Sequence, residues 1–225
     1  MPENKSVSNK IIVALDVNNE NKAKKLINLL SARVKIFKIG SILFTKSGPA
    51  IVRYIQKKKC NVFLDLKFFD ISNTVANAVR QAARLKVKML TLHISGGEDM
   101  LRAAVIAAKD ESKKLRIKRP LLIGVTVLTS KEAKPQEVLK LAKSGLGCGL
   151  DGVVCSVKEA ALLRRKIRNK FIIITPGIRK DKIARDDQKR TATAKEALKA
   201  GSDFLVVGRP IVEAKDPLKA FKEMI

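Results

Sequence analysis

The segment LDLKFFD (64–70) sets one lysine between two carboxylates, Asp65 and Asp70 on either side of Lys67. An ammonium in such company can stabilise a carbanion formed beside it and then hand it a proton. Two more ionisable residues end apolar runs upstream, Asp16 in IIVALD (11–16) and Lys38 in VKIFKI (34–39). A structural ion pair is the plain alternative for any one of these pairs. Four ionisable residues at the ends of three consecutive apolar runs weaken it, because burying that much charge without a use is costly. Other routes are narrower. The chain has one histidine, His93, and three cysteines, Cys60, Cys148 and Cys155, without metal-ligand spacing. A multi-histidine metal site is excluded, and a Ser-His-Asp triad would rest wholly on His93. The odd cysteine count fits reduced thiols in a cytosolic protein.

A second signature lies near the C-terminus. TPGIR (175–179) and VGRP (207–210) each place a glycine just past an apolar run and an arginine after it. Glycine lets backbone N–H groups approach an anion, and the guanidinium forks of Arg179 and Arg209 suit a phosphate. Pro-Gly pairs also mark ordinary turns, so either motif alone is weak. Together they favour a phosphorylated ligand. The polar stretch RKDKIARDDQKRT (179–191) between them is longer than a minimal connection and reads as a lid.

These residues need a frame, and the hydrophobic pattern supplies one. Besides the two runs above, NVFLDL (61–66), KMLTLH (88–93), LLIGVT (121–126), DGVVCS (151–156), FIIIT (171–175) and DFLVVG (203–208) read as strands. Amphipathic stretches follow, among them KAKKLINLL (22–30), PAIVRYIQKK (49–58), NTVANAVRQAARL (73–85) and TAKEALKAG (193–201). Eight strand–helix units predict a closed (β/α)8 TIM barrel, with a doubly wound open sheet as the competing arrangement. In a barrel the working residues stand at the C-terminal strand ends, where the charged positions fall. Side-chain alternation puts Asp65 and Lys67 on one face of their strand and Leu64, Leu66 and Phe68 on the other. Nothing divides the chain, so residues 1–225 read as a single domain, with 1–10 as a flexible N-terminal extension. MPENKSVSNK lacks an apolar signal core, and no apolar run approaches the ~20 residues that span a bilayer. A cytoplasmic protein is expected.

The composition raises one rival. Lys and Arg total 47 against 21 Asp and Glu, a formal charge of +26. Such a charge attracts anions in general, nucleic acid included. The basic runs KKLRIKR (113–119) and RRKIRNK (164–170) follow or end predicted helices and read as solvated faces. Eight Phe, one Tyr and no Trp, with no RNA-binding motif, argue against sequence readout. No specific nucleic-acid partner and no membrane partner is expected.

Across nearly its whole length the chain resembles the orotidine 5'-phosphate decarboxylase family. The resemblance is carried by VALDV (13–17), FKIG (37–40), LDLKFFDISNTV (64–75), GLDGVVCS (149–156), TPGIR, DDQKRTAT (186–193) and GSDFLVVGRPI (201–211), in that order. It implies decarboxylation of orotidine 5'-monophosphate to UMP and CO2 in pyrimidine synthesis, with no cofactor and no metal. It implies that Asp16 and Lys38 hold ribose hydroxyls, and that Lys67 protonates C6 within the Asp65–Lys67–Asp70 array. It implies a homodimer in which Asp70 and Thr74 serve the partner's site. Thr129 in VTVLTS matches a pyrimidine-contacting hydroxyl, while Pro176, Gln188, Gly208 and Arg209 match the pyrimidine-to-phosphate end. Phe69 stands where the family usually has His, and Ser72 and Ala194 where it often has Pro. The Asp-Lys-Asp block is shared with metal-using relatives that act on sugar phosphates, which form a second reading.

Overall fold

The protein, described here from a computed structural model over residues 5–128, 133–180 and 191–224, is built on eight strands. They are β1 (Ile11–Ala14), β2 (Ile36–Gly40), β3 (Asn61–Phe68), β4 (Met89–His93), β5 (Leu121–Val125), β6 (Gly152–Val154), β7 (Ile172–Thr175) and β8 (Phe204–Val207). Every neighbouring pair is parallel, and β8 pairs with β1. The sheet is therefore a closed barrel in sequence order, a (β/α)8 TIM barrel, and the open-sheet alternative falls away.

Two-residue alternation divides the apolar strand residues between two cores. Ile12, Ala14, Ile36, Phe63, Met89, Ile123, Ile174 and Val206 fill the barrel interior. Their neighbours Ile11, Val13, Phe37, Leu64, Leu90 and Leu92 point outward and pack with the helices. The helices Ser72–Arg84 and Glu98–Lys114 cover that outer face through Val75, Val79, Leu101, Ala104 and Ala108. Capping boxes start two later helices, Ser156 with Glu159 and Thr193 with Glu196, so local sequence fixes where each begins.

Some expectations need correction. The link from β2 to β3 carries two helices, Ser41–Ser47 and Pro49–Lys57, separated by Gly48 at φ 53°. Within the stretch 1–10, Lys5–Ser8 forms a short helical turn. The basic runs are not wholly solvated either. The Arg119 fork bonds both Asp151 carboxylate oxygens at 2.6 and 3.0 Å. Arg164 bonds Asp203 at 2.5 Å and the carbonyls of Phe171 and Gly201 at 2.8 and 2.9 Å. Each of these aspartates also accepts a strand N–H, from Leu122 or Ile173, so the pairs tie together the N-terminal rim of the barrel. That rim is opposite the strand ends that bear the candidate site. Among the described residues no helix is long and apolar enough to cross a membrane.

Candidate active site

At the C-terminal mouth, consecutive inward positions change from apolar to charged. Two residues beyond Ile36 on β2 comes Lys38, and two beyond Phe63 on β3 comes Asp65. Asp16 follows two residues after the end of β1. Their charges alternate along one chain. Lys38 Nζ lies 2.8 Å from Asp16 and 3.2 Å from Asp65, and Lys67 Nζ lies 2.9 Å from the other oxygen of Asp65. Two ammoniums and two carboxylates thus sit together with no net charge, which lowers the penalty for placing them in the barrel. Burial opposes ionisation of Asp65, but Lys38, Lys67 and the hydrogen bonds from Lys67 and Thr91 outweigh it and hold the carboxyl below its ordinary range. Burial likewise opposes the charge on Lys38, yet Asp65 and Asp16 outweigh it and push its pKa upward. Both groups stay ionised at neutral pH, a condition for electrostatic work at this point.

Lys67 enters this chain by an unusual backbone route. Between the pairs Leu64↔Leu90 and Phe68↔Leu92 the β3–β4 register shifts, leaving β3 two residues longer than its partner. Within this bulge Lys67 adopts φ 51°. A side chain in the left-handed region costs about 1–2 kcal/mol, and such strain gathers at functional sites. The expected shared face of Asp65 and Lys67 holds even so, with Leu64, Leu66 and Phe68 packed on the outer core. Sequence reasoning passed over Thr91, a fully buried residue on the inward face of β4. Its hydroxyl accepts the Lys67 backbone N–H at 2.8 Å and donates to Asp65 at 3.0 Å.

Asp16, Lys38, Asp65 and Lys67 line a cavity of about 470 Å³, a size suited to a small molecule. The same cavity is lined by Gly177, Arg179, Gly208 and Arg209 from the loops after β7 and β8. Val125, Val154, Ile174, Pro176 and Val206 add an apolar lining that suits a flat ring. The strands therefore bring eight of the singled-out residues to one cavity: Asp16, Lys38, Asp65, Lys67, Pro176, Arg179, Gly208 and Arg209. Asp70 and Thr74 stand apart, both exposed. The Asp70 carboxylate accepts the N–H of Ile71 at 2.6 Å. Thr129 and Gln188, with most of the stretch read as a lid, lie outside the described residues. Phe69 is exposed and meets His93 edge to face, their ring centroids 5.8 Å apart. His93 has its pKa lowered, by burial first and by Lys67 second. Among the described residues no three His, Cys, Asp or Glu gather as a metal-binding group would.

Gly40 is a second residue that sequence reasoning passed over. A Cβ there would stand 2.7 Å from an Asp16 carboxylate oxygen and 3.2 Å from Lys38 Nζ. The group that must yield is the first link of the charged chain. Gly40→Ala is therefore expected to cost about 100-fold in kcat/KM, the scale of an ångström-sized misplacement, while the fold persists. Steady-state kinetics beside a thermal melt checks this.

The sequence model of the orotidine 5'-phosphate decarboxylase / HUMPS family matches residues 9–224. The orotidine 5'-phosphate decarboxylase of Coxiella burnetii is 46% identical over 224 residues, covering 95% of this chain and 94% of that protein. The enzyme of the same name from Geotalea daltonii is 44% identical over 227 residues, with 96% and 94% covered. The crystal structure of orotidine 5'-phosphate decarboxylase from Lactobacillus acidophilus superposes with a TM-score of 0.83 at 33% identity, covering 96% of this chain and 97% of that one.

Proposed function

The chain belongs to the orotidine 5'-phosphate decarboxylase / HUMPS family, and we propose that it converts orotidine 5'-monophosphate to UMP and CO2 in pyrimidine synthesis. The observation that carries this reading is the Asp16–Lys38–Asp65–Lys67 chain in a cavity that two arginines also line. Arg209 and Arg179 take the phosphate, with backbone N–H groups of the glycine-containing turns beside them. The pyrimidine lies along Pro176 and the apolar lining, and the family resemblance assigns Thr129 and Gln188 to the same ligand. Asp16 and Lys38 take the ribose hydroxyls. This places C6 and its carboxylate against Asp65 and Lys67.

The chemistry then needs no cofactor. The C6–carboxylate bond breaks, CO2 leaves, and the electron pair stays on C6. The Lys67 ammonium faces that pair, stabilises it, and transfers a proton to C6. Solvent returns the proton to the amine after product leaves. Asp65 stays ionised throughout and disfavours the substrate carboxylate relative to neutral CO2. Phosphate binding far from the reacting carbon supplies energy for holding that arrangement.

The protein works in the cytoplasm as a homodimer in which Asp70 and Thr74 reach the partner's site. Support comes from the surface around them: Phe69 is 60% and Ile71 72% exposed on either side of Asp70, an apolar pair that a second copy would cover.

The family also includes enzymes of the HUMPS type, so membership alone leaves a sugar-phosphate substrate as the second reading. The names of the relatives at 44–46% identity favour the decarboxylase. Purified protein treated with EDTA is expected to decarboxylate orotidine 5'-monophosphate at its untreated rate, followed by the change in pyrimidine absorbance. Loss of all activity in EDTA with recovery in magnesium would reject this mechanism and favour the sugar-phosphate reading.

A further inference from the structure

We infer that Thr91 is a positioning residue for the reaction, holding both ends of Lys67 against one oxygen of Asp65. The role rests on the decarboxylase reading of the site, but the geometry behind it is independent of the substrate. The two extra residues in β3 interrupt its ladder with β4 at the point where Lys67 turns into the left-handed region. Its backbone N–H then needs a partner from somewhere other than a strand carbonyl, since an unpaired donor in the barrel wall is costly. Thr91 Oγ1 supplies it at 2.8 Å.

The same hydroxyl donates its single hydrogen to Asp65 Oδ1 at 3.0 Å, and Lys67 Nζ donates to that very oxygen at 2.9 Å. The result is a closed ring: Lys67 main chain to Thr91, Thr91 to Asp65, and Asp65 back to the Lys67 ammonium. Its direction is fixed by chemistry. An amide N–H only donates, and an ionised carboxylate only accepts, so the hydroxyl has one arrangement open to it. Thr91 is fully buried, and its branched Cβ restricts its rotamer. The ring ties the strained backbone of Lys67 to the carboxylate that locates its ammonium. Catalytic groups must be held to a fraction of an ångström by such neighbours.

Thr91→Val keeps the shape and removes both hydrogen bonds. It is expected to lower kcat about 30-fold, the worth of one lost hydrogen bond to a charged group, with KM changed less than about threefold. Thr91→Ser restores the hydroxyl and returns kcat to within about threefold of wild type. A wild-type kcat in Thr91→Val, or an equal loss in Thr91→Ser, overturns the role. Should Thr91→Val not fold, Thr91→Cys carries the same test, since a thiol is a weak donor and a weak acceptor. Crystal structures of wild type and variant give a second reading that needs no turnover. Lys67 is expected to leave the left-handed region or its ammonium to move off Asp65. An unchanged bulge and ion pair would overturn the proposal even if orotidine 5'-monophosphate proved not to be the substrate. Absence of turnover in the wild-type protein would instead count against the decarboxylase reading alone.

Discussion

Lys67→Ala is expected to lower turnover of orotidine 5'-monophosphate by about 10⁵-fold or more, because one group supplies two effects. In the proposed mechanism the ammonium stabilises the developing carbanion and then provides the proton that quenches it. Water can replace the second role slowly, but it cannot place a fixed positive charge at C6. The protein should remain folded. Asp65 keeps Lys38 at 3.2 Å and the Thr91 hydroxyl at 3.0 Å, so the buried carboxylate is not abandoned. Affinity for UMP should fall far less than turnover, since the residues proposed to hold the phosphate and ring, Arg179, Arg209 and Pro176, are other members of the cavity lining. Single-turnover kinetics, a UMP titration and circular dichroism together separate these outcomes. Near-normal turnover in the variant would remove Lys67 from the mechanism.

How much of this was legible beforehand varies residue by residue. The barrel could be read because its inward and outward strand residues alternate with period two and each strand precedes an amphipathic helix. Asp65 and Lys67 stood out because charge is rare inside such runs. The bulge that positions Lys67 could not be read. A lysine carries no signature of a left-handed backbone, and the register shift depends on what β4 offers across the gap. Thr91 was hidden by the opposite problem, being an ordinary strand residue by propensity whose hydroxyl matters only through its neighbours. Gly40 was visible as a residue of FKIG but not as the space that Asp16 and Lys38 occupy. The basic runs misled in part because Arg119 and Arg164 find their carboxylates, Asp151 and Asp203, about thirty to forty residues away. The junctions after β7 and β8 were legible because glycine and arginine recur there together.

Asp70 marks the claim on which the reaction centre depends, that two copies of the chain complete each other's sites. Within one chain Asp70 is exposed, and its carboxylate bonds the adjacent Ile71 N–H rather than Lys67. Two-fold pairing would make the exchange reciprocal, each subunit lending its Asp70 to the other. Lys67→Ala and Asp70→Ala proteins, each expected to be nearly inactive, are mixed in equal amounts, unfolded and refolded together. In a mixed dimer one site carries both lesions, and the other has native Lys67 with native Asp70 donated in trans. Random pairing makes half the dimers mixed, so about a quarter of the activity of wild-type protein taken through the same cycle should return. If Asp70 acts within its own subunit, every site retains one lesion and mixing restores nothing, which would contradict the shared site.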